Sequence, residues 1–233
     1  MAKRTTMWNI SKFAALLAAT MLVGACGGGE PQARSITLTF IRSAQSQAEA
    51  DGVIDTEIPG PGLTADGKGQ AQQLSRGDFD GIYTSPMTAD QQTAETLAAN
   101  SSQRAEVVQG LRSINAGWYN GKPQSMADST YLLAPTMWVK GDVNTSIPGS
   151  VSGEDFNSRF ADAVRTIYDS GNKKPAAVSQ GTAIMVWTLM NVKNPKVSLL
   201  DSHPLPNAGR VVITGSPANG WTLVEWDGIR NFN

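Results

Sequence analysis

Ser35-Ile36-Thr37-Leu38-Thr39-Phe40-Ile41-Arg42-Ser43-Ala44-Gln45-Ser46 is the stretch whose reading decides the fold. It opens with alternating β-branched and apolar side chains, the period-two pattern of a buried strand, and then breaks into a short polar turn headed by an arginine. In an α/β domain the carboxyl end of a first strand is where ligands dock. A guanidinium there offers a planar fork of donors suited to phosphate or carboxylate. The same residues also suit a surface arginine behind an ordinary strand, and the remainder of the chain has to decide between the two.

On the amino-terminal side the sequence reads as a processing segment. Lys3, Arg4 and Lys12 precede the apolar run Phe13 to Val23, which is too short for a relaxed membrane span. The run ends in Leu22-Val23-Gly24-Ala25-Cys26, which looks like a bacterial lipobox, with Gly27-Gly28-Gly29 directly behind it. The expectation is a lipoprotein signal peptide over residues 1–25, lipidation of Cys26, a flexible tether over 26–34 and a folded domain over 35–233. Cleavage before Cys26 removes three of the 19 basic residues and none of the 20 acidic ones, leaving a formal net charge of −4. The lipid alone would then hold the protein to the cell membrane, on its extracytoplasmic face.

Across the 233 residues, 40% hydrophobic and 17% charged, there is material for one domain core. A net charge of −1 and the lack of a basic cluster interleaved with aromatics exclude the usual nucleic-acid binders. With one cysteine and one histidine, Cys26 and His203, neither an intrachain disulfide nor a Cys-based zinc site is expected, and no metal or cofactor is implied. Gly62-Leu63-Thr64-Ala65-Asp66-Gly67-Lys68 has P-loop spacing up to its lysine. Gly69 then stands where the magnesium-binding Ser or Thr is needed, and no strand leads in, so the match is a chance one.

On the carboxyl side, Asp51 to Gly62 is a loop over the mouth of a pocket. Thr64 is an N-cap for a helix starting near Ala65. Asp80 to Thr84 is a short strand, Asp90 to Ala99 a helix and Glu106 to Val108 a strand. Residues 117–153 read as an irregular capping insertion with bulky Trp118, Tyr119, Tyr131 and Trp138. Phe156, Phe160, Ala163, Val164, Ile167 and Tyr168 recur at helical spacing. Pro175 to Ser179 is a buried strand, Thr182 to Asn191 a helix, and Arg210 to Thr214 with Thr222 to Asp227 a terminal hairpin. Strands alternating with helices predict an α/β three-layer sandwich on a mostly parallel central sheet.

Several landmarks stand in a telling order: Arg42 at a strand end, Leu63-Thr64 with Gly67 and Gln70-Ala71, Ser85-Pro86 with Gln92-Thr93, Gly121 behind an aromatic pair, and Ser179-x-Gly181. In this the chain resembles the histidine phosphatase superfamily and its phosphoglycerate mutase-like fold. With the lipobox, Leu205-Pro206-Asn207 and Gly220 to Val224, it more narrowly resembles the LpqD-like lipoproteins of mycobacteria. The resemblance implies a phosphoryl-transfer site opening with Arg-His-Gly, whose histidine is the nucleophile. In this chain the triplet is Arg42-Ser43-Ala44. The family's second arginine falls at Ala89, its acidic proton donor at Ser113 and its second histidine at Gln180; Asn120 stands where relatives often carry a glutamate. Of those five positions of the catalytic site itself only Arg42 matches, so no catalytic residue is assigned.

A neutral imidazole nitrogen is nucleophilic near neutral pH, whereas a serine hydroxyl needs a base to take its proton. Losing even one stabiliser of a transferring phosphoryl group commonly costs on the order of 10²–10³ in rate. Arg42, Ser43, Glu49 and Gln180 remain polar. They either line a pocket for a small anionic or sugar-like ligand, or satisfy one another and fill the space the imidazoles would occupy. The expectation is a membrane-anchored pseudo-phosphatase acting as a binding or scaffolding protein of the cell envelope, with an envelope protein as a further candidate partner. The alternative is a phosphatase-like hydrolase with residual or altered activity on an envelope phosphoester.

Overall fold

In the computed structural model, which describes residues 34–74, 77–99, 101 and 103–232, the opening stretch becomes strand β1, Ile36–Arg42, inside a six-stranded sheet. Its alternation sends Leu38 and Phe40 to one face and Ile41 to the other, so both faces of the strand are buried. Behind it come α1 (Gln47–Ala50), α2 (Ala65–Gln73), β2 (Gly81–Thr84), α3 (Thr88–Ala99) and β3 (Ala105–Val107). Then follow α4 (Leu133–Val139), α5 (Gly153–Asp169), β4 (Pro175–Ser179), α6 (Gly181–Asn191), α7 (Leu199–Ser202), β5 (Arg210–Ser216) and β6 (Gly220–Trp226).

The strand order is β3-β2-β4-β1-β5-β6. β3, β2, β4 and β1 run parallel, with Arg42 opposite Ser179 and Thr84 opposite Val178. β5 runs antiparallel to β1 and forms the terminal hairpin with β6. On one face Ile41, Ile82, Ala176 and Val178 meet Ala94, Leu97 and Ala98 of α3. On the other, Phe40, Phe160 of α5 and Trp187 of α6 pack with ring centroids 5.4–5.7 Å apart, the tilted and edge-on geometry that aromatic quadrupoles favour. The result is the three-layer α/β sandwich with a mostly parallel sheet that the sequence predicts.

The capping insertion needs correcting. Residues 117–153 are not irregular throughout, because they hold α4 as well as 3₁₀ turns at Gly117–Tyr119 and Gln124–Ser129. Pro135 reads as a helix breaker, yet it sits in the first turn of α4, where its missing N–H costs no intrahelical bond. Trp138 of α4 is fully buried, donates Nε1 to the Thr145 carbonyl and stacks on Phe156 of α5. Residues 1–25, Cys26 and the tether up to residue 33 lie outside the described residues. Among the described residues no helix is long and apolar enough to cross a membrane.

Candidate functional site

The carboxyl ends of β1, β2 and β4 converge, and backbone bonds lock them: Ser43 N donates to Ser179 O at 3.1 Å and Ser85 N to Val178 O at 3.0 Å. This sets Arg42-Ser43, Ser85 and Gln180 around one spot. Gly181 opens α6 there because a Cβ in its place would lie 2.7 Å from Cδ of Arg42, inside van der Waals contact. Gly67 is constrained likewise, since a Cβ would meet the Gln45 carbonyl oxygen at 2.2 Å.

Below the strand ends lies a sealed polar cluster. Asp90, in the first turn of α3, is 0% exposed and Ser43 is 1% exposed. Ser85 Oγ accepts from the Met87 N–H at 3.0 Å and so turns its own proton toward Oδ2 of Asp90. Gln180 Nε2 donates to Oδ1 of Asp90 at 2.7 Å and to Oγ of Ser43 at 3.1 Å. Burial pushes the Asp90 carboxyl up to about 6, against the pull of hydrogen bonds from Ser85, Ser43 and Gln180, with the Glu49 charge adding to the rise. Ser43 is therefore a spacer under Gln180, closed off from solvent, with its hydroxyl engaged by an amide and a carboxylate.

Arg42 is also engaged. Its Nη1 donates to the Leu205 carbonyl and its Nη2 to Oε1 of Glu49. Glu49 is held in turn by Ser46, whose N–H donates to Oε2 at 2.9 Å within the capping box of α1, and by Asn207 Nδ2 at 3.2–3.3 Å.

Above the cluster opens a cleft of about 580 Å³, a size suited to a small ligand. Gln180, Thr182 and Arg42 lie along its floor. The 51–62 loop contributes Val53, Ile54 and Asp55, and the insertion contributes Gln124, Asp128, Tyr131 and Leu133. Burial pushes the Tyr131 hydroxyl up to about 12, so it stays protonated at neutral pH. A shallower hollow of about 670 Å³ lies over α5. Its Arg159 is spent on the carbonyls of Gly110, Arg112 and Ser113, which leaves it a structural strut.

Of the four residues expected in the pocket, Arg42, Glu49 and Gln180 line the cleft, whereas Ser43 is buried beneath Gln180 and does not reach it. Ser113 lines the cleft. Ala89 is buried in a small apolar cluster with Ala44, Leu63 and Ala71. Asn120 serves the loop instead, its Oδ1 accepting from the N–H and hydroxyl of Thr56 at 2.8 and 3.1 Å. His203 is exposed, with Nδ1 2.8 Å from the Ser202 hydroxyl, and does not line the cleft. Among the described residues no group of three or more His, Cys, Asp or Glu is placed to hold a metal ion. Asp90, Ser85, Asn207 and Asp201 are site residues that the sequence alone does not assign, although Ser85 and Asn207 stand among its landmarks. Asp90 stands directly beside Ala89 in the Ser85-Pro86 motif, and that adjacency was the one clue to it.

The model of the histidine phosphatase superfamily (branch 1) matches residues 38–228. The chain is 43% identical over 222 residues to the PE-PGRS family protein PE_PGRS11 of Mycobacterium tuberculosis, a match that takes in 87% of this chain and 38% of that protein. The chain thus spans well under half the length of this curated relative. Among solved structures it is similar to a mycobacterial glucosyl-3-phosphoglycerate phosphatase, with a TM-score of 0.68 and 18% identity over 84% of this chain and 100% of that one. It is also similar to phosphoserine phosphatase in complex with 3-phosphoglyceric acid from Entamoeba histolytica, with a TM-score of 0.67 and 19% identity over 83% and 98%. At such identities the structures establish a shared fold.

Proposed function

The chain belongs to the histidine phosphatase superfamily, branch 1, and from that premise we propose that it uses the fold to bind rather than to transfer phosphoryl groups. The observation that carries this reading is the state of the strand-end residues. Ser43, at the end of β1, is buried under Gln180, and Arg42 is paired with Glu49 and the Leu205 carbonyl. A nucleophile needs a lone pair free to reach its target and a group to take its proton. Ser43 has neither an open path nor an imidazole beside it.

In this reading the protein is a lipoprotein of the cell envelope, anchored through Cys26 on the extracytoplasmic face, whose cleft holds a small ligand or docks a partner protein. The lipobox, the apolar run before it and the likeness to LpqD-like lipoproteins support the anchoring. The sequence pointed to an anionic or sugar-like ligand. The acidic lining of the cleft argues against the anionic choice.

A second reading is favoured by the structural relatives, which are phosphatases: hydrolysis of a phosphoester by a site working differently from theirs. One assay separates the two. The purified full chain, offered p-nitrophenyl phosphate and 3-phosphoglycerate, is expected to show no turnover above that of Arg42→Ala and Ser43→Ala prepared in parallel. Turnover that disappears in either variant would overturn the binding reading and establish the second.

A further inference from the structure

Gln180 faces the cleft with one polar atom only. Both hydrogens of its amide nitrogen are committed downward, to Asp90 and Ser43. Among the described residues nothing donates to its Oε1, while the side chain lines the cleft. The amide cannot flip cheaply, because reversal would set Oε1 against the Asp90 carboxylate. The cleft floor therefore presents a fixed acceptor.

The charges agree with it. Among the described residues Arg42 is the one cation on the lining, and Glu49 neutralises it. Asp55, Asp128 and Asp201 also line the cleft, and none of them is ion-paired among the described residues. In a partly enclosed site with apolar walls, charges of one sign focus the field and raise the local concentration of the opposite ion. The walls supply an apolar surface through Val53, Ile54, Leu132, Leu133, Met185 and Leu200. A phosphate dianion would meet three carboxylates without ion pairs and an acceptor oxygen, with only the amino end of α6 at Gly181 and Thr182 and one already engaged guanidinium to hold it.

We propose that the cleft takes an organic ammonium ion, an amine-bearing cation on an apolar body, whose N–H groups bond Gln180 Oε1 and whose charge is balanced by Asp128 and Asp201. This rests on the reading of the cleft as a binding site and names its ligand class. Asp90 and Ser43 act through Gln180, holding the acceptor toward the ligand.

The test is titration of the full chain by calorimetry at pH 7.5 and low salt, with cyclohexylammonium chloride, cyclohexanol, glucose and inorganic phosphate as probes. Cyclohexylammonium is expected to bind about tenfold or more tighter than cyclohexanol, equivalent to about 1.4 kcal/mol, and phosphate not to bind. The double variant Asp128→Asn/Asp201→Asn is expected to lose about tenfold in ammonium affinity. Both residues are exposed, so the fold does not depend on them. Gln180→Met, which keeps the length and removes the acceptor, should weaken the ammonium ion more than cyclohexanol. Equal affinity for cyclohexanol, an unchanged double variant, or no ammonium binding would overturn the proposal. Binding of glucose or phosphate in place of the ammonium ion would also overturn it, while leaving the binding function intact; phosphoester turnover dependent on Arg42 would instead remove that function.

Discussion

Asp90 is a carboxyl group closed off from bulk solvent, and its titration should be visible in the stability of the whole chain. Its pKa is raised from 3.8 to about 6 in the folded state, so between those values the native protein holds a proton that the unfolded chain has released. Its contribution is therefore fully favourable below about pH 4 and is lost as pH rises through about 6, a change on the order of 2–3 kcal/mol. Urea unfolding at pH 5 and pH 7 is expected to show wild type losing stability with rising pH relative to Asp90→Asn. Parallel behaviour of the two proteins would refute the assignment. At this scale legibility was uneven. Arg42, Ser43 and Gln180 could be read because each closes a short apolar strand, and strand ends are where sites form. Asp90 could not, because a lone acid in the first turn of a helix looks like an ordinary partner of the helix dipole. Only the packing of α3 against β2 and β4 shows that it points inward.

Helix α5 is the best-signalled element of the chain, and its first residue carries a test. Ser152 caps it, its Oγ accepting from Asp155 N, while the Asp155 carboxylate accepts from the Ser152 hydroxyl and then from the Ser152 N–H, and these bonds hold the Asp155 carboxyl below its usual value. Gly153 follows. A glycine-to-alanine change in a helix normally stabilises by up to about 1 kcal/mol. Here a Cβ would lie 2.5 Å from the Trp138 ring, and Trp138 is wedged between Phe156 and the Thr145 carbonyl. Gly153→Ala is therefore expected to destabilise by about 1–3 kcal/mol, the cost of overpacking, as read from the denaturation midpoint. A stabilised variant would show that α4 is free to shift. The same contact explains why α4 was illegible. Apolar residues fall on both of its faces, Leu133 and Met137 left exposed while Ala134 and Trp138 turn inward, so the local sequence shows no contrast between a buried and a solvent side. The strands, by contrast, were all placed to within a few residues, because short apolar or β-branched runs bounded by turn residues are written in the local sequence.

At the scale of the molecule, the cleft occupies the carboxyl edge of the parallel strands and the chain enters at the opposite edge. There Arg34 lies over the Tyr168 ring at 4.3 Å, and the Tyr168 hydroxyl donates to the Arg34 carbonyl at 3.0 Å. Under the proposed anchoring, Cys26→Ser is expected to move the protein from the membrane fraction to the soluble one. Without the lipid, a chain of formal charge −4 has no attraction to an anionic surface. Retention of the variant in washed membranes would overturn that anchoring. The order of entry also has a mechanical consequence. Any load carried by the leading segment reaches the domain at Ile36 and pulls along the axis of β1. That strand is hydrogen-bonded to β4 on one side and β5 on the other, with bonds lying across the direction of pull. Such bonds do not open one at a time like a zip; they have to shear together. Under the proposed anchoring, a pull on Ile36 would be resisted by the sheet as a whole, and the cleft would keep its shape while the protein is tugged.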